Sequence, residues 1–250
     1  MSGESIAVVV GRDLLAQAVT DHLRSRGVEV LAVCGHELGD LVWSLEAKSL
    51  KIEQRQVRAL LLRDPPSAIA GLGYTPEDYG FVAAELGATL LAATHLQSVL
   101  AINRLDADGW FEDAQWPVWH RVLKKASVRV SPLHVGCSGS GAVWRPYTGG
   151  PDRPPPDEAV RRTLGTALAR APVQGSVLFA GGDAIAGEPP QAVREAASGL
   201  ERRGILLARI SFDPAGRVAT VDTFPEITED VLDPVVARLA VRFDDHLRPR

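Results

Sequence analysis

The N-terminal segment of this chain has the pattern of a strand-helix-strand unit, and this pattern leaves few folds open. The run from Ile6 to Val10 is apolar and mostly β-branched, which is typical of a strand buried on both faces of a parallel sheet. Asp13 is a predicted helix N-cap, and Gly27 is a typical stop at the other end of that helix. With a second strand from Val28 to Cys34, the segment predicts a right-handed βαβ unit whose first strand is central in an α/β sheet.

The segments that follow complete an α/β lobe. Further β structure is predicted from Leu41 to Leu62, a helix from Glu77 to Leu91 and another buried strand from Leu96 to Asn103. The stretch from Trp110 to Arg129 has aromatic residues at helical spacing, which favours a helix that packs its indoles in the core. We therefore expect residues 1–131 to form a Rossmann-like lobe.

Residues 132–156 are rich in glycine and proline, and we place a connector between two lobes there. Residues 157–250 predict a smaller α+β lobe, with hairpin turns at Gly181 to Asp183 and at Asp213 to Gly216. Its predicted elements are a helix from Asp157 to Arg170, two strands within Gly175 to Ala186, a helix from Gln191 to Arg203, strands from Ile205 to Phe212 and from Arg217 to Thr223, and a helix from Thr228 to Leu247.

Charge and composition exclude several classes of function. The net charge is -4 and the pI is 5.9, whereas nucleic acids and anionic membranes both require a cationic surface. No apolar run approaches the roughly 20 residues of a membrane span, and no signal peptide pattern opens the chain. Cys34 and Cys137 are far apart and have neither metal nor redox spacing. We expect a cytoplasmic protein with reduced thiols and with neither nucleic acid nor membrane as a partner.

The loop from His134 to Gly141 is the best candidate in the sequence for an anion cradle. Its small residues are Gly136, Ser138, Gly139, Ser140 and Gly141. Glycines and small hydroxyl residues expose backbone N–H groups, which bind phosphate oxygens. The loop lacks the Gly-Lys-Ser/Thr ending of a P-loop, and no lysine follows Lys125. A glycine-rich hairpin without a ligand is the alternative.

Other catalytic patterns have little support. The turn after the first strand carries Gly11, but Leu14 and Leu15 follow where a dinucleotide site needs further glycines, so we expect no nicotinamide cofactor. No two histidines have the spacing of metal ligands on a helix, and no Gly-x-Ser-x-Gly elbow is present.

Taken in order, five segments resemble ATP-grasp ligases of the type that glutamylates ribosomal proteins or matures peptides, including the small pre-ATP-grasp domain that opens that family. In the first lobe, Val57 to Arg63 resembles a strand ending in arginine, Tyr79 to Glu85 a helix carrying a glutamate, and Val99 to Asn103 a strand ending in asparagine. In the second lobe, Ser176 to Ala186 is similar to a strand pair with substrate contacts, and Leu206 to Pro225 to the final hairpin.

The resemblance implies a magnesium site on that final hairpin, where the family has an acidic residue on one strand and Glu-x-Asn-Pro on the next. Asp222 matches the glutamate, whereas Ser211 and Phe224 occupy the positions of the other acid and of the asparagine. Activation of a carboxylate by ATP needs oxygen ligands for divalent ions. The family's phosphate-binding lysines are missing from the second lobe, and its phosphate-covering subdomain is shortened to a proline-rich loop. The arginines that could replace the lysines are Arg145, Arg161 and Arg162.

These departures favour a truncated, degenerate ATP-grasp-like protein that does not hydrolyse ATP and needs no cofactor. In this interpretation it binds a peptide, a small molecule or a partner enzyme in a bacterial biosynthetic pathway, and a homodimer is compatible with it. Ligand contacts are predicted at Arg63, in the His134 to Gly141 loop and at Arg145, with Asp222 as the candidate metal ligand.

Two enzymatic alternatives stay open. One is an active carboxylate-amine ligase that uses ATP and Mg²⁺, or a pathway enzyme that reuses the same cleft for other chemistry. It predicts that Asp222 is required for turnover. The other is a nucleotide-binding oxidoreductase, against which the turn at Gly11 argues.

Overall fold

A computed structural model of the chain describes residues 5–46, 48–63, 76–104, 115–132, 134–137, 166–169 and 172–247. For residues 36, 76–84, 115–118, 134–137 and 166–169 it describes the backbone alone. The helices are α1 (Leu14–Ser25), α2 (Pro76–Thr94), α3 (Gln115–Lys125), α4 (Gln191–Glu201) and α5 (Glu229–Leu247). The strands are β1 (Ser5–Val10), β2 (Glu29–Val33), β3 (Trp43–Glu46), β4 (Ser49–Ile52), β5 (Arg55–Leu62), β6 (Leu100–Ile102), β7 (His134–Cys137), β8 (Thr166–Ala169), β9 (Gly175–Ala180), β10 (Asp183–Ala184), β11 (Leu207–Phe212) and β12 (Val218–Asp222).

The first sheet has the strand order β2-β1-β5-β4-β3, and β6 lies beside the C-terminal half of β5. β1 pairs in parallel with both β2 and β5, and every side chain from Ile6 to Val10 is buried. Asp13 caps α1, because its Oδ1 accepts the backbone N–H of Ala16 at 2.8 Å. Gly27 follows the helix with a φ of 76°, a conformation that favours glycine. The predicted βαβ unit and its central strand are confirmed.

The predicted β structure between Leu41 and Leu62 is also confirmed, as the β3–β4 hairpin followed by β5. The strand expected from Leu96 to Asn103 is shorter than predicted. The N–H of Val99 donates to the carbonyl of Leu96 at 3.1 Å, so this segment is a turn and pairing begins only at β6. The backbone of α2 confirms the predicted helix from Glu77 to Leu91.

The second sheet is antiparallel and has the order β10-β9-β11-β12, which confirms the predicted hairpins. Gly181 and Gly182 connect β9 to β10 with φ values of 61° and 94°, as a two-residue turn requires. The backbone carbonyl of Asp213 accepts the N–H of Gly216 at 2.9 Å in the turn between β11 and β12. Helices α4 and α5 lie where the sequence predicts them.

A third, two-stranded sheet corrects two predictions. β7 lies inside the segment that we predict to be a connector loop, and β8 lies inside the predicted helix from Asp157 to Arg170. The two strands pair antiparallel, with His134 opposite Ala169. In Thr166–Ala169 a threonine and a leucine alternate with alanines, a pattern that suits a strand as well as a helix, and pairing with β7 decides between them. Residues 138–165, between these two strands, lie outside the described residues.

Helix α5 joins the two large sheets into one hydrophobic cluster. Members of this cluster are Val9, Leu23, Leu61, Leu178, Leu207, Val235, Leu239 and Phe243. Each large apolar side chain buried in this way contributes about 1.5–3 kcal/mol, so α5 holds the second sheet firmly against the first. The opposite face of the first sheet is covered by α2, and the opposite face of the second by α3 and α4.

The indole of Trp119 is buried in the cluster under α3, as predicted for this helix. The side chain of Trp116 lies outside the described residues. Among the described helices, none combines the length and apolarity that crossing a membrane requires.

Candidate functional site

Asp222, the candidate metal ligand, is the last residue of β12 and is half-buried. Its Oδ1 accepts the backbone N–H of Phe224 at 2.8 Å, which fixes the start of the turn after the strand. Burial raises the pKa of the Asp222 carboxyl, although that hydrogen bond and the positive charges of Arg209 and Arg63 act in the opposite direction. The carboxylate therefore lies close to two guanidinium groups.

The residue directly opposite Asp222 on β11 is Arg209. The resemblance assigns the position of the family's other acid to Ser211, which pairs with Thr220 in the row next to that of Asp222. The register shifts between Ser211 and Phe212, and with this irregularity Arg209 stands opposite Asp222. Sequence reasoning missed Arg209, although it is the one charged residue in the run from Ile205 to Phe212.

Donor chemistry around Asp222 argues against a divalent ion. A magnesium or calcium ion is held by several oxygen ligands, and a second carboxylate usually supplies part of the charge. Here a guanidinium lies opposite the carboxylate, and Phe224 offers no side-chain oxygen. Among the residues described, no group of three potential metal-ligating side chains occurs. The described residues do not fit Mg²⁺, and the role of Asp222 as a metal ligand stays a prediction.

Arg63, predicted as a ligand contact, is a buried cross-link next to this site. It follows β5, and its side chain is only 4% exposed. Its Nε donates to Oδ2 of Asp13 at 2.8 Å, and its Nη2 donates to the backbone carbonyl of Pro225 at 2.7 Å. Arg63 thus binds the N-cap of α1 on one side and the turn after Asp222 on the other.

Asn103, the single asparagine of the chain, holds the same region from the end of β6. Its Nδ2 donates to the carbonyl oxygens of Leu207 at 2.6 Å and Thr223 at 2.7 Å. Its Oδ1 accepts the backbone N–H groups of Leu206 at 2.8 Å and Leu207 at 2.7 Å. The buried amide therefore uses both donors and both acceptor positions, and it fixes the start of β11 to the end of β12.

Around Arg209 and Asp222, one face of the second sheet carries polar side chains. Side chains of directly paired residues lie on the same face of a sheet. One row across β9, β11 and β12 consists of Leu178, Arg209 and Asp222, and the next row consists of Ser176, Ser211 and Thr220. We call these two rows the polar face. Leu178 in this face is buried, Ser176 is exposed and the other four residues are half-buried, whereas the opposite face of the same strands is buried under α3 and α4.

The other predicted ligand contacts fall largely outside what the structure describes. The backbone of His134 and Gly136 lies on β7, opposite Ala169 and Ala167. Ser138, Gly139, Ser140, Gly141 and Arg145 lie outside the described residues, as do Arg161 and Arg162. The proposed anion cradle of this loop stays a prediction.

The turn after β1 borders a pocket of about 360 Å³, lined by residues that include Arg12, Gln17 and Glu37. The backbone N–H of Gly11 donates to the carbonyl of Val33 at 2.8 Å, so it extends the sheet and does not point at a ligand. The backbone N–H of Gly11 is therefore used within the first sheet.

Sequence comparison finds neither a family model nor a curated protein that matches the chain. Solved structures do match. The ATP-grasp ligase PsnB, complexed with minimal precursor, Mg and ADP, is 16% identical with a TM-score of 0.60, over 96% of this chain and 98% of that one. The macrocyclase MdnC of Microcystis aeruginosa, bound with precursor peptide MdnA, is 10% identical with a TM-score of 0.62, over 96% and 99%.

A third similar structure is a RiPP-associated ATP-grasp ligase of Chryseobacterium gregarium, in complex with ADP and a leader and core peptide. It is 12% identical with a TM-score of 0.60, and the match covers 99% of this chain and 98% of that one. The similarity therefore extends over nearly the whole of both chains. This protein has the fold of the ATP-grasp ligases.

Proposed function

We propose that this protein is a peptide-binding component of a peptide-modification pathway, and that it uses the ATP-grasp fold without hydrolysing ATP. The observation that carries the proposal is the pairing of Arg209 with Asp222. A guanidinium at this position repels a divalent ion, and phosphoryl transfer from ATP depends on such ions to neutralise charge between the phosphates. The residues that hold the hairpin in place, Arg63 and Asn103, are nevertheless present, and each forms several hydrogen bonds that fix it.

Support for a peptide ligand comes from the structural neighbours, because PsnB, MdnC and the Chryseobacterium ligase were each solved with a precursor or a leader and core peptide. A fold that keeps the scaffold and loses the metal site retains the surfaces on which such a peptide could bind. A small molecule, a partner enzyme and a second copy of this chain are the other partners compatible with the proposal. We place this protein in the cytoplasm.

Calorimetry with ATP tests the proposal. Titration of the protein with ATP in the presence of MgCl₂, and again in EDTA, should give no metal-dependent heat of binding, and incubation with both should release no ADP. A short peptide encoded beside the gene is the ligand to titrate in parallel. Tight binding of ATP that requires Mg²⁺, or metal-dependent release of ADP, would show that the proposal is wrong.

An active carboxylate-amine ligase is the second candidate. The observation that favours it is the nearly complete match with a ligase that was solved with Mg and ADP. In that case Asp222 is the remaining carboxylate on the metal hairpin, and Asp222→Asn should abolish ADP release. If ADP release occurs and persists in the Asp222→Asn variant, this ligase mechanism fails.

A further inference from the structure

The β3–β4 hairpin forms one end of the first sheet, and β3 is the outermost strand there. Among the described residues, β4 is the only strand that pairs with β3, so the other side of β3 is an open edge. An open edge is a template for pairing with another chain. We propose that the β3 edge binds the β3 edge of a second copy of this chain, as an antiparallel pair around a two-fold axis.

The outward side of β3 carries unused backbone groups. At the base of the hairpin, the carbonyl of Val42 accepts the N–H of Glu53 at 3.0 Å, and the N–H of Val42 donates to Oε1 of Glu53 at 2.8 Å. Because backbone groups alternate between the two sides of a strand, those of Trp43 and Leu45 point away from β4. Within the described part of the chain, no strand or loop bonds to these outward N–H and carbonyl groups.

The side chains along this edge favour association. Leu45 is 43% exposed and Val42 is 66% exposed, so this edge holds two of the five large apolar side chains that are exposed among the described residues. Edge strands that stay unpaired commonly carry a lysine, a proline or a β-bulge. The strand Trp43–Glu46 has none of these features. A partner strand would cover apolar surface that the monomer leaves open.

A second copy fits this edge because β3 is complementary to itself. With Ser44 on the two-fold axis, Trp43 of each copy pairs with Leu45 of the other, and both N–H groups and both carbonyls of each strand find a partner. The indole of Trp43 then lies beside the exposed Leu45 side chain of the other copy. The same register places Glu46 opposite Val42, so that no like charges face each other.

The hairpin is fixed before a partner binds. The Nε1 of Trp43 donates to the backbone carbonyl of Leu38 at 2.9 Å. At the turn of the hairpin, the Oγ of Ser98 donates to the backbone carbonyl of Lys48 at 2.7 Å. An edge that is already ordered loses little conformational freedom when it pairs, and this favours association.

Analytical ultracentrifugation of the full-length protein over a concentration series tests the inference. We expect a reversible dimer. Leu45→Lys should raise its dissociation constant by about tenfold or more, because the two-fold axis applies the change twice. Leu45→Pro should have a similar effect, since it removes a donor that the hairpin itself does not use. Val241→Lys is the matched control, because Val241 is an exposed apolar residue on α5 and its replacement should leave the dissociation constant unchanged. Circular dichroism checks that each variant is folded.

Cysteine cross-linking tests the register. Ser44 and its copy form a pair without hydrogen bonds, with Cα atoms about 4.5 Å apart, a separation that a disulfide can bridge. Ser44→Cys should therefore form a covalent dimer when it is oxidised with oxidised glutathione. Glu46→Cys is the matched control, because the two new thiols would lie four residues apart along the strands, about 13 Å. Wild type, which contains Cys34 and Cys137, gives the background.

The outcomes separate this inference from the proposed function. A protein that is monomeric at every concentration, or a dimer that neither Leu45→Lys nor Leu45→Pro weakens, would overturn the inference and leave the peptide-binding proposal standing. Equal cross-linking of Ser44→Cys and Glu46→Cys would overturn the register. Metal-dependent release of ADP from ATP would instead overturn the proposed function and leave the β3 interface unaffected.

Discussion

The Nη2 of Arg63 donates to the backbone carbonyl of Pro225 at 2.7 Å, although the two residues are 162 positions apart. This bond connects the end of a parallel strand in the first sheet with the turn that follows Asp222 in the second. Because Nε of the same guanidinium binds Asp13, one buried side chain holds three segments together. The position of Asp222 thus depends on the first lobe as well as on its own hairpin.

We expect Arg63→Ala to lower the free energy of unfolding by about 2–3 kcal/mol, because it leaves the buried carbonyl of Pro225 without its donor. Urea denaturation followed by circular dichroism measures this loss. Arg55→Ala is the control, because Arg55 lies at the other end of β5 in an exposed ion pair with Glu29 and its loss should cost less than about 1 kcal/mol. Equal losses for the two variants would contradict the role of Arg63 as a cross-link.

Asn103→Asp should destabilise the protein in a pH-dependent way. The substitution removes the two donors to Leu207 and Thr223 and places a buried carboxyl among carbonyl oxygens, which raises its pKa in the folded state. A carboxyl whose pKa is higher in the folded state than in the unfolded state makes folding less favourable as the pH rises. The variant should therefore lose more than about 2 kcal/mol at pH 7, and this loss should shrink as the pH falls toward 4.

The pH dependence of that variant is measured by urea denaturation at several pH values against wild type. Asn103→Ala serves as the comparison, because it removes the same donors without adding a titratable group. A stability difference between wild type and Asn103→Asp that stays constant from pH 7 to pH 4 would be inconsistent with a buried, protonated carboxyl at this position.

Asp222→Asn should stabilise the protein at neutral pH. Burial raises the pKa of the Asp222 carboxyl above the ordinary aspartate value of 3.8, so ionisation of this group opposes folding at pH 7. An asparagine keeps an oxygen that can accept the N–H of Phe224 and carries no charge to desolvate. The gain should be present at pH 7 and should disappear as the pH falls below 3.8, where the carboxyl is protonated in both states. Thermal unfolding of wild type and Asp222→Asn between pH 7 and pH 3 measures this gain in stability. A variant that is less stable than wild type at pH 7 would contradict the prediction.

The features that the sequence predicts well are those specified by local residues. The buried strand from Ile6 to Val10, the N-cap at Asp13 and the glycine turn at Gly181 each depend on neighbours a few positions away, and all are present. In contrast, the strand Thr166–Ala169 requires β7 as its partner, and no local pattern separates it from a helix. Its pairing with β7, which is distant in the sequence, therefore determines that this segment is a strand.

The candidate site was harder to predict, because its key relationships are long-range. The bonds of Asn103 to Leu207 and Thr223 span more than a hundred positions, so the sequence shows the asparagine but not its partners. The pairing of Arg209 with Asp222 depends on an irregularity in the register between Ser211 and Phe212, which no residue type marks. For this reason the sequence indicated the hairpin and Asp222, but not that Arg209 lies opposite Asp222.

Replacement of the guanidinium by a second carboxylate tests directly whether Arg209 prevents metal binding at Asp222. Arg209→Asp would place two carboxylates opposite each other on β11 and β12, and like charges at a directly paired position are destabilising without a counterion. We therefore expect the variant to unfold at a lower temperature than wild type in EDTA, and to recover stability when Mn²⁺ or Mg²⁺ is added. At a metal concentration of about ten times the dissociation constant, the recovery amounts to roughly 1.4 kcal/mol.

The measurement is thermal unfolding of both proteins in EDTA and in a concentration series of Mn²⁺. Arg209→Asn is the matched control, because it removes the guanidinium without adding a ligand charge, and it should show no metal-dependent recovery. Stabilisation of wild type by Mn²⁺ to the same extent as the Arg209→Asp variant would mean that Arg209 does not prevent metal binding. In that event the ligase candidate, rather than the peptide-binding component, would be the function to pursue.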